Sequence, residues 1–476
     1  MARRFTWRRI FEGLLLAVVL IVIVRTWLIA GILLPQRVAG PSMAEAFLGP
    51  HRPVTCRDCG WQFACAESLL PERFTARCPL CGERENDVAK IAPVAGTRLL
   101  LDRATFSYRA PRRWEPIVFR CAEQPAQSYL KRVVGLPGEV VELRRGDVYV
   151  NGQIERKSLA VARTMGILID DTRYRPASGR LPARWRGEVE PGGGKPGTAS
   201  DGSGSTKTPS RWQYVDGRFV LEAVETPDAP KVEVEPNAAA TTHPIDWLTY
   251  RHRRREDDPL AASTAVNDDY ATNQNVSRQL EAVDDVVAAV RLTTTGTGAL
   301  FLAVERAEGR FVFRLERSGG SLTRDGEELN RRMAIKGPLT ALGENRSLTL
   351  EWGSLDRRLL VRLNGRLILE HNIDATATTA TEPSRPSLAI GGRSLGIAVE
   401  SAKVWRDVHY LRSPVGVPSA AVPRQHTTAA DAYFVLGDNS PVSQDSRVEP
   451  PGGVAAQRIL GRPLFGASRR GGSRMP

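Results

Sequence analysis

The sequence predicts a mainly β protein standing behind one N-terminal helix, and three observations predict it. Short apolar runs alternate with polar residues along much of the chain, as in Ala299 to Val304, Arg310 to Leu315, Ser347 to Trp352 and Arg358 to Leu363. That is the period of half-buried strands. Asn-Gly pairs at Asn151-Gly152 and Asn364-Gly365 follow such runs, where a type I′ turn needs two residues that tolerate positive φ. Helical periods are few, and the one long apolar stretch lies at the start.

At 476 residues the chain has room for two or three domains, each with its own core. A net charge of +13 would suit nucleic acid or an anionic surface. The Arg residues, however, are scattered through nearly every segment instead of forming a block with interleaved aromatics, which argues against nucleic acid as a partner. Hydrophobic residues at 42% and charged residues at 25% are ordinary for a globular protein, so the N-terminus is the exception.

There, Arg3, Arg4, Arg8 and Arg9 precede an apolar run that starts at Phe11 and continues past Arg25 to Leu34. A spanning helix needs about 20 residues, and residues 11–34 supply them if Arg25 snorkels to the far interface beside Trp27. The basic cluster would keep residues 1–10 in the cytoplasm and send the rest outward across a cytoplasmic membrane. A cleaved secretory signal has the same basic start and apolar core. Leu33-Leu34-Pro35-Gln36-Arg37 is too bulky for its cleavage site, so the expectation is an uncleaved anchor that crosses once.

Cys56-x2-Cys59 and Cys78-x2-Cys81 follow, eighteen residues apart, each pair with a glycine behind it at Gly60 and Gly82. Two such knuckles present four thiolates, the set that completes a tetrahedron around a structural zinc. Disulfides are the alternative, because they form where an outward-facing compartment is oxidising. Cys65 and Cys121 are left over, and each reads as a buried thiol.

Three further stretches stand out: Gly40-Pro41-Ser42-Met43, then Tyr129-Leu-Lys131-Arg-Val-Val-Gly-Leu-Pro-Gly-Glu139, then Phe434-Val-Leu-Gly437-Asp438-Asn439-Ser440-Pro-Val-Ser443-Gln-Asp445-Ser-Arg447. In this order behind an apolar run they resemble the type I signal peptidases, membrane-bound serine proteases with a Ser/Lys dyad. The resemblance covers roughly residues 11–55, 90–160 and 430–465. It implies Ser42 as nucleophile and Lys131 as general base, a role a lysine fills near neutral pH only when apolar neighbours, here Leu130, Val133, Val134 and Leu136, desolvate it. It also implies support from Gly40 and Met43 around Ser42, a hydrogen bond from Ser443 to the lysine, an Asp445–Arg447 pair that fixes the loop, and Asp438 near the site. The chain departs from the pattern at Gly40, where a serine can help the oxyanion hole, at Glu45-Ala46 in place of Pro-Thr, at Trp114-Glu115 in place of Gly-Asp, and at Ser440 in place of Arg.

The reading that results is a signal-peptidase-type β catalytic domain built from residues 36–55, 83–190 and 430–465. A zinc-ribbon-like insertion takes residues 56–82. A β-sandwich of concanavalin or laminin-G type, a jelly roll, takes 211–412, between linkers at 191–210 and 413–429, and a basic tail takes 466–476. The acidic pairs Asp268-Asp269 and Asp284-Asp285 read as solvated turns. Partners would be the lipid bilayer, exported preproteins, and a glycan or protein ligand of the sandwich. Catalysis would need no cofactor. The alternatives are an inactive relative acting as a membrane-anchored binding protein, which the departures at Gly40, Glu45 and Ser440 favour, and a self-cleaving regulator, which the anchor disfavours.

Overall fold

The computed structural model describes residues 2–121, 126–177, 181, 183–189, 209–223, 244–254, 263–333, 342–373, 387–449 and 452–465. Most of the first linker and the C-terminal tail expected from the sequence lie outside these residues. The protein is mainly β.

The chain begins with an α-helix, Ala2–Ile23, that passes into a π-helical stretch, Val24–Ile32, and then into a strand, Leu33–Arg37. Among the described residues no helix is long and apolar enough to cross a membrane. The reason is local. Four arginines and Glu12 occupy the first half of the α-helix, and the apolar run outlasts its regular hydrogen-bond register. Leu33 and Leu34, expected at the end of the span, instead pair with Asp102 and Leu101.

That strand is the edge of a seven-stranded antiparallel sheet in the order Leu33–Arg37, Arg98–Asp102, Ile459–Phe465, Pro116–Arg120, Ser128–Gly135, Ala432–Leu436, Val454–Ala455. Segments more than 300 residues apart in sequence become neighbours: Arg132 lies opposite Leu436 and Val133 opposite Val435. A second small sheet joins Val140–Arg144, Asp147–Val150, Gln153–Ile154 and Gln425–Thr427. The Asn151-Gly152 turn, at φ 49° and 81°, links its second and third strands, and Arg145-Gly146 makes the turn before it.

The long interruption is a two-sheet sandwich. One sheet centres on Gly396–Arg406, Val286–Thr295 and Glu344–Ser354, the other on Asp246–Arg251, Ser387–Arg393 and Ala299–Arg306. Alternate residues of both face inward, so Val290, Leu350, Trp352, Leu302, Phe311, Phe313 and Ile390 form one buried core. Asn364-Gly365 turns Arg358–Leu363 into Arg366–Asn372. Two strands within residues 83–190 join this sandwich: Ile167–Asp171 pairs with Gly396–Arg406, and Trp185–Val189 pairs with Asp246–Arg251. Their partners lie beyond the linker, out of reach of local pattern, and Trp185–Val189 carries Arg186, Gly187 and Glu188, so no apolar run marks it.

The cysteine-rich insertion consists of two small hairpins, His51–Thr55 with Gln62–Ala66 and Thr75–Ala76 with Asn86–Asp87. One member of each acidic pair read as a solvated turn is not solvated, while Asp269 and Asp284 are half-exposed. Asp268 is fully buried against Arg278, and Asp285 is buried against Arg306 and Ser354. The arginines that bury these carboxylates lie 10 and 21 residues further along the chain, outside the turns themselves.

Candidate active site

Ser42 stands in a tight turn that its neighbours pin down. Met43 and Ala44 are buried, the Ala44 N–H donates to the Pro41 carbonyl at 3.0 Å, and the Phe47 N–H donates to the Met43 carbonyl at 2.8 Å. Gly40 has open space where a side chain would project.

The closing segment meets this turn at Gly437. A Cβ there would lie 2.2 Å from the Ser443 hydroxyl and 2.5 Å from the Ser42 carbonyl oxygen, so only a glycine lets both approach the strand end. Two residues on, the Asn439 N–H donates to the Ser42 carbonyl at 3.0 Å. Ser42 is thus held through its peptide at the end of the strand that neighbours Ser128–Gly135.

Lys131 sits on that neighbouring strand, 1% exposed, and its Nζ donates to Ser443 Oγ at 2.9 Å. Its directly opposed residue is Ile117. Strand alternation puts Ile117, Val133, Val435 and Tyr433 in one apolar cluster, against which Leu136 packs. Val134 faces the other way, into the cluster with Phe434 and Leu436, so it and Leu130, one residue from Lys131, belong to the opposite face. Desolvation pushes the Lys131 ammonium down to about 8; Asp445 and Asp438 pull it back, and Arg447 adds to the fall.

The two nearby carboxylates are already engaged. Asp445 accepts from Arg447 Nε and Nη2, both at 2.8 Å, and from the Gly437 N–H at 3.1 Å. Burial would raise its carboxyl, but the Arg447 charge holds it below the usual range. Asp438 lies across the strand from the lysine and forms a buried fork with Arg132, at 2.7 and 2.5 Å. Ser440, a departure from the resembled pattern, accepts from Arg447 Nη1 at 2.9 Å and from the Leu411 N–H at 2.8 Å. Trp114 adopts φ 66°, a left-handed conformation at the place where the pattern has glycine.

Sequence reasoning missed Tyr270 and Asn273, and the contacts that Asn439, named only as part of the closing motif, makes with Asn273 and with the Ser42 turn. The Asn439 carboxamide is shared between the Pro41 carbonyl, at 3.1 Å, and the Asn273 side chain. The Tyr270 hydroxyl donates to the Asp438 carbonyl at 2.7 Å. No motif signals such contacts across more than 160 residues.

A cavity of about 830 Å³ opens beside the turn, between the cysteine hairpins and the sandwich. Glu45, Trp61, Phe63, Leu80 and Arg406 are among its lining residues, whereas Ser42 and Lys131 are not. Burial raises the Glu45 carboxyl to about 7 against the pull of Arg406.

Cys56, Cys59, Cys78 and Cys81 are buried free thiols whose sulfurs all lie within 4.8 Å of one another. The Cys56–Cys81 and Cys59–Cys78 Sγ distances are 3.5 and 3.7 Å. A disulfide needs about 2.05 Å. Tetrahedral thiolates at about 2.3 Å from zinc lie about 3.8 Å apart, so this donor set fits that metal. Cys65 is buried and its thiol is pushed up to about 12, while Cys121 is only half-buried. A second cluster joins carboxylate oxygens of Asp147, Asp285 and Asp356 within 4.8 Å, where the small sheet meets the sandwich. Lys157 and Arg306 already bridge two of its members.

With this geometry in hand, comparison with known proteins is informative for one part of the chain. Residues 87–178 match the family described as signal peptidase, peptidase S26. That segment contains Lys131 and ends far short of Gly437. A signal peptidase I of Leptolyngbya laminosa is 38% identical over 63 residues, 12% of this chain and 31% of that protein. A signal peptidase I of Pseudomonas aeruginosa is 37% identical over 96 residues, 20% of this chain and 34% of that protein. The chain therefore spans about a third of the length of the curated relatives it matches. A solved protein of unknown function with a galectin-like fold from Bacillus subtilis covers 51% of this chain and 96% of its own, at 10% identity and a TM-score of 0.29, too low to carry an argument.

Proposed function

From the similarity of this chain to type I signal peptidases, we propose that it is a membrane-bound serine endopeptidase that removes signal peptides from exported preproteins with a Ser42/Lys131 dyad. The observation that carries this reading is the pairing of a desolvated lysine with Ser443 at the strand end where the Ser42 peptide docks.

In this mechanism the neutral Lys131 amine takes the Ser42 hydroxyl proton, and Oγ attacks the carbonyl carbon of the scissile bond. The tetrahedral oxyanion collapses, the C–N bond breaks, and the leaving amine of the mature chain takes the proton from Lys131. Lys131, neutral again, then deprotonates a water, which attacks the acyl carbon; as the ester C–O bond breaks, Ser42 Oγ takes the proton back from Lys131 and the signal peptide leaves as a carboxylate. Ser443 holds the amine in place. Asp445 with Arg447 and Asp438 with Arg132 keep carboxylates away from direct pairing with the lysine, which favours its neutral form, the one able to accept a proton.

The N-terminal segment is read as the anchor. Leu14, Leu15, Leu16, Leu20 and Ile21 are all exposed, and consecutive residues on a helix point in different directions. A helix apolar all round calls for an apolar medium. With Arg3 to Arg9 on the cytoplasmic side, the dyad would sit just outside the lipid, where the cleavage site of a membrane-held preprotein emerges.

Zinc in the cysteine hairpins would be structural, because four thiolates leave no open coordination position. One equivalent of zinc per chain is expected in the purified protein by elemental analysis, and less in Cys78→Ser; a metal-free wild type would overturn the assignment.

The test of the main reading uses the full chain in phospholipid vesicles with a signal-bearing preprotein. Wild type is expected to cleave after a small residue. Ser42→Ala and Lys131→Ala should each lower turnover by about 10³-fold or more, with both variants still showing a cooperative thermal unfolding transition. Normal turnover by either variant would remove the dyad, and an inert wild type would favour the binding-protein reading.

A further inference from the structure

We infer that Asn273, which belongs to the long interruption and not to the resembled motifs, is a positioning residue for Ser42. The inference rests on the reading of Ser42 as nucleophile and assigns to the inserted segment a part in holding it.

The carboxamides of Asn273 and Asn439 form a reciprocal pair. Asn273 Nδ2 donates to Asn439 Oδ1 at 2.8 Å, and Asn439 Nδ2 donates to Asn273 Oδ1 at 2.7 Å. Both side chains are buried. An amide nitrogen has two hydrogens, and Asn439 uses the second toward the Pro41 carbonyl at 3.1 Å, with the Thr272 hydroxyl a longer contact at 3.4 Å. Its main-chain N–H takes the Ser42 carbonyl, at 3.0 Å. One residue thus grips the peptide before Ser42 with its side chain and the peptide after it with its backbone.

Asn439 alone cannot fix its own side-chain orientation. Rotated by half a turn, its Oδ1 would face the Pro41 carbonyl, acceptor against acceptor. Asn273, which offers one donor and one acceptor in register, selects the orientation that presents hydrogen to Pro41.

Asn273 is itself held rigidly. Its N–H donates to the Tyr270 carbonyl at 3.1 Å, closing a turn, and the Tyr270 hydroxyl bonds the Asp438 carbonyl next to Asn439. On the other side the Gln274 amide spans the Arg77 backbone, accepting from its N–H at 2.8 Å and donating to its carbonyl at 3.1 Å. The Thr272 carbonyl accepts from the Ala66 N–H at 3.3 Å. The brace therefore ties the closing loop, the nucleophile turn and the cysteine hairpins together.

The experiment compares wild type, Asn273→Ala and Asn273→Asp as full-length protein in vesicles, with thermal unfolding measured alongside. Asn273→Ala removes both bonds to Asn439 and is expected to lower kcat by about 10- to 100-fold while KM stays within about twofold, because a buried polar group left unpaired is costly and misplacement of the reacting atom affects the chemical step. Asn273→Asp gives the diagnostic signature. As a carboxylate it accepts from Asn439 Nδ2 but cannot donate back; once protonated it does both. The ratio of its kcat to that of wild type should rise toward one as pH falls through the carboxyl pKa, while the ratio for Asn273→Ala, which adds no charge to move Lys131, stays low at every pH.

A wild-type kcat for Asn273→Ala, or a pH-independent ratio for Asn273→Asp, would overturn the inference. Should Asn273→Ala fail to fold, the ratio for Asn273→Asp still decides. Loss of the dyad reading has a different signature, namely normal cleavage by Ser42→Ala.

Discussion

Two lysines in this protein are equally buried, at 1% exposure each, and their environments drive them in opposite directions. Lys131 meets a serine hydroxyl, and desolvation pushes it down to about 8. Lys157, where the small sheet meets the sandwich, is also penalised by desolvation, but Asp356 and Asp407 more than offset that and hold it well above its usual value. The Trp114 ring lies 4.8 Å from its Nζ and adds a cation–π contact. Carboxylates are near both lysines. The difference is that Arg447 and Arg132 have claimed Asp445 and Asp438 on the Lys131 side. Burial sets how much a lysine's charge costs, and the partners left to it decide whether the charge survives.

The sharpest way to break this contrast is to remove the charged lysine. Lys157→Ala leaves Asp356 and Asp407 unpaired beside Asp285, so it should destabilise the protein by about 3–5 kcal/mol, read as a lower midpoint in thermal or denaturant unfolding. Cleavage per folded molecule should be unchanged. A wild-type midpoint would show that the cluster contributes nothing to holding the sandwich.

Next in size is the pH dependence of the wild type. The folded-state value of Lys131 lies below the unfolded one, so the neutral amine is favoured by folding. The stability penalty of burying it is complete below about 8 and is relieved as pH rises toward the ordinary lysine value of about 10.4. Activity follows the neutral form: kcat should climb about tenfold per unit on the acid side and level off above about 8. A flat profile between pH 6 and 9 would argue against Lys131 as base. The smallest effect sharpens the same point. Arg447→Met frees Asp445 to face Lys131, making its surroundings more like those of Lys157. The acid limb should move to higher pH by about one unit or more; an unmoved limb would mean the arginine does not control the lysine.

Much of the site could be read from the sequence because its chemistry is concentrated in short motifs. Gly437, Ser443, Asp445 and Arg447 lie within eleven residues, and their contacts are made largely among themselves and with Lys131. The sandwich strands were legible where alternation and an Asn-Gly turn coincide, as around Asn364-Gly365. What escaped were the contacts of residues that belong to no motif. Asp285 reads as a solvated turn until Arg306 and Ser354 close over it. Asn273 reads as an ordinary loop residue until Asn439 arrives 166 residues later. The N-terminal run shows a different limit: composition marks it as apolar, yet it divides into α-helix, π-helix and strand, because Leu33 and Leu34 are drawn into pairing with Arg98–Asp102.

The strands Ile167–Asp171 and Trp185–Val189 are stitched into the sandwich from the near side of the linker, while its other strands come from the far side. A protease that nicked the chain between Val189 and Pro209 would sever the covalent thread but not the bonded seams, and both fragments should elute together until denatured. A genetic excision of residues 211–412 would be less forgiving. It would strand two ribbons with their ladder groups bare, a ready nucleus for aggregation instead of a minimal enzyme.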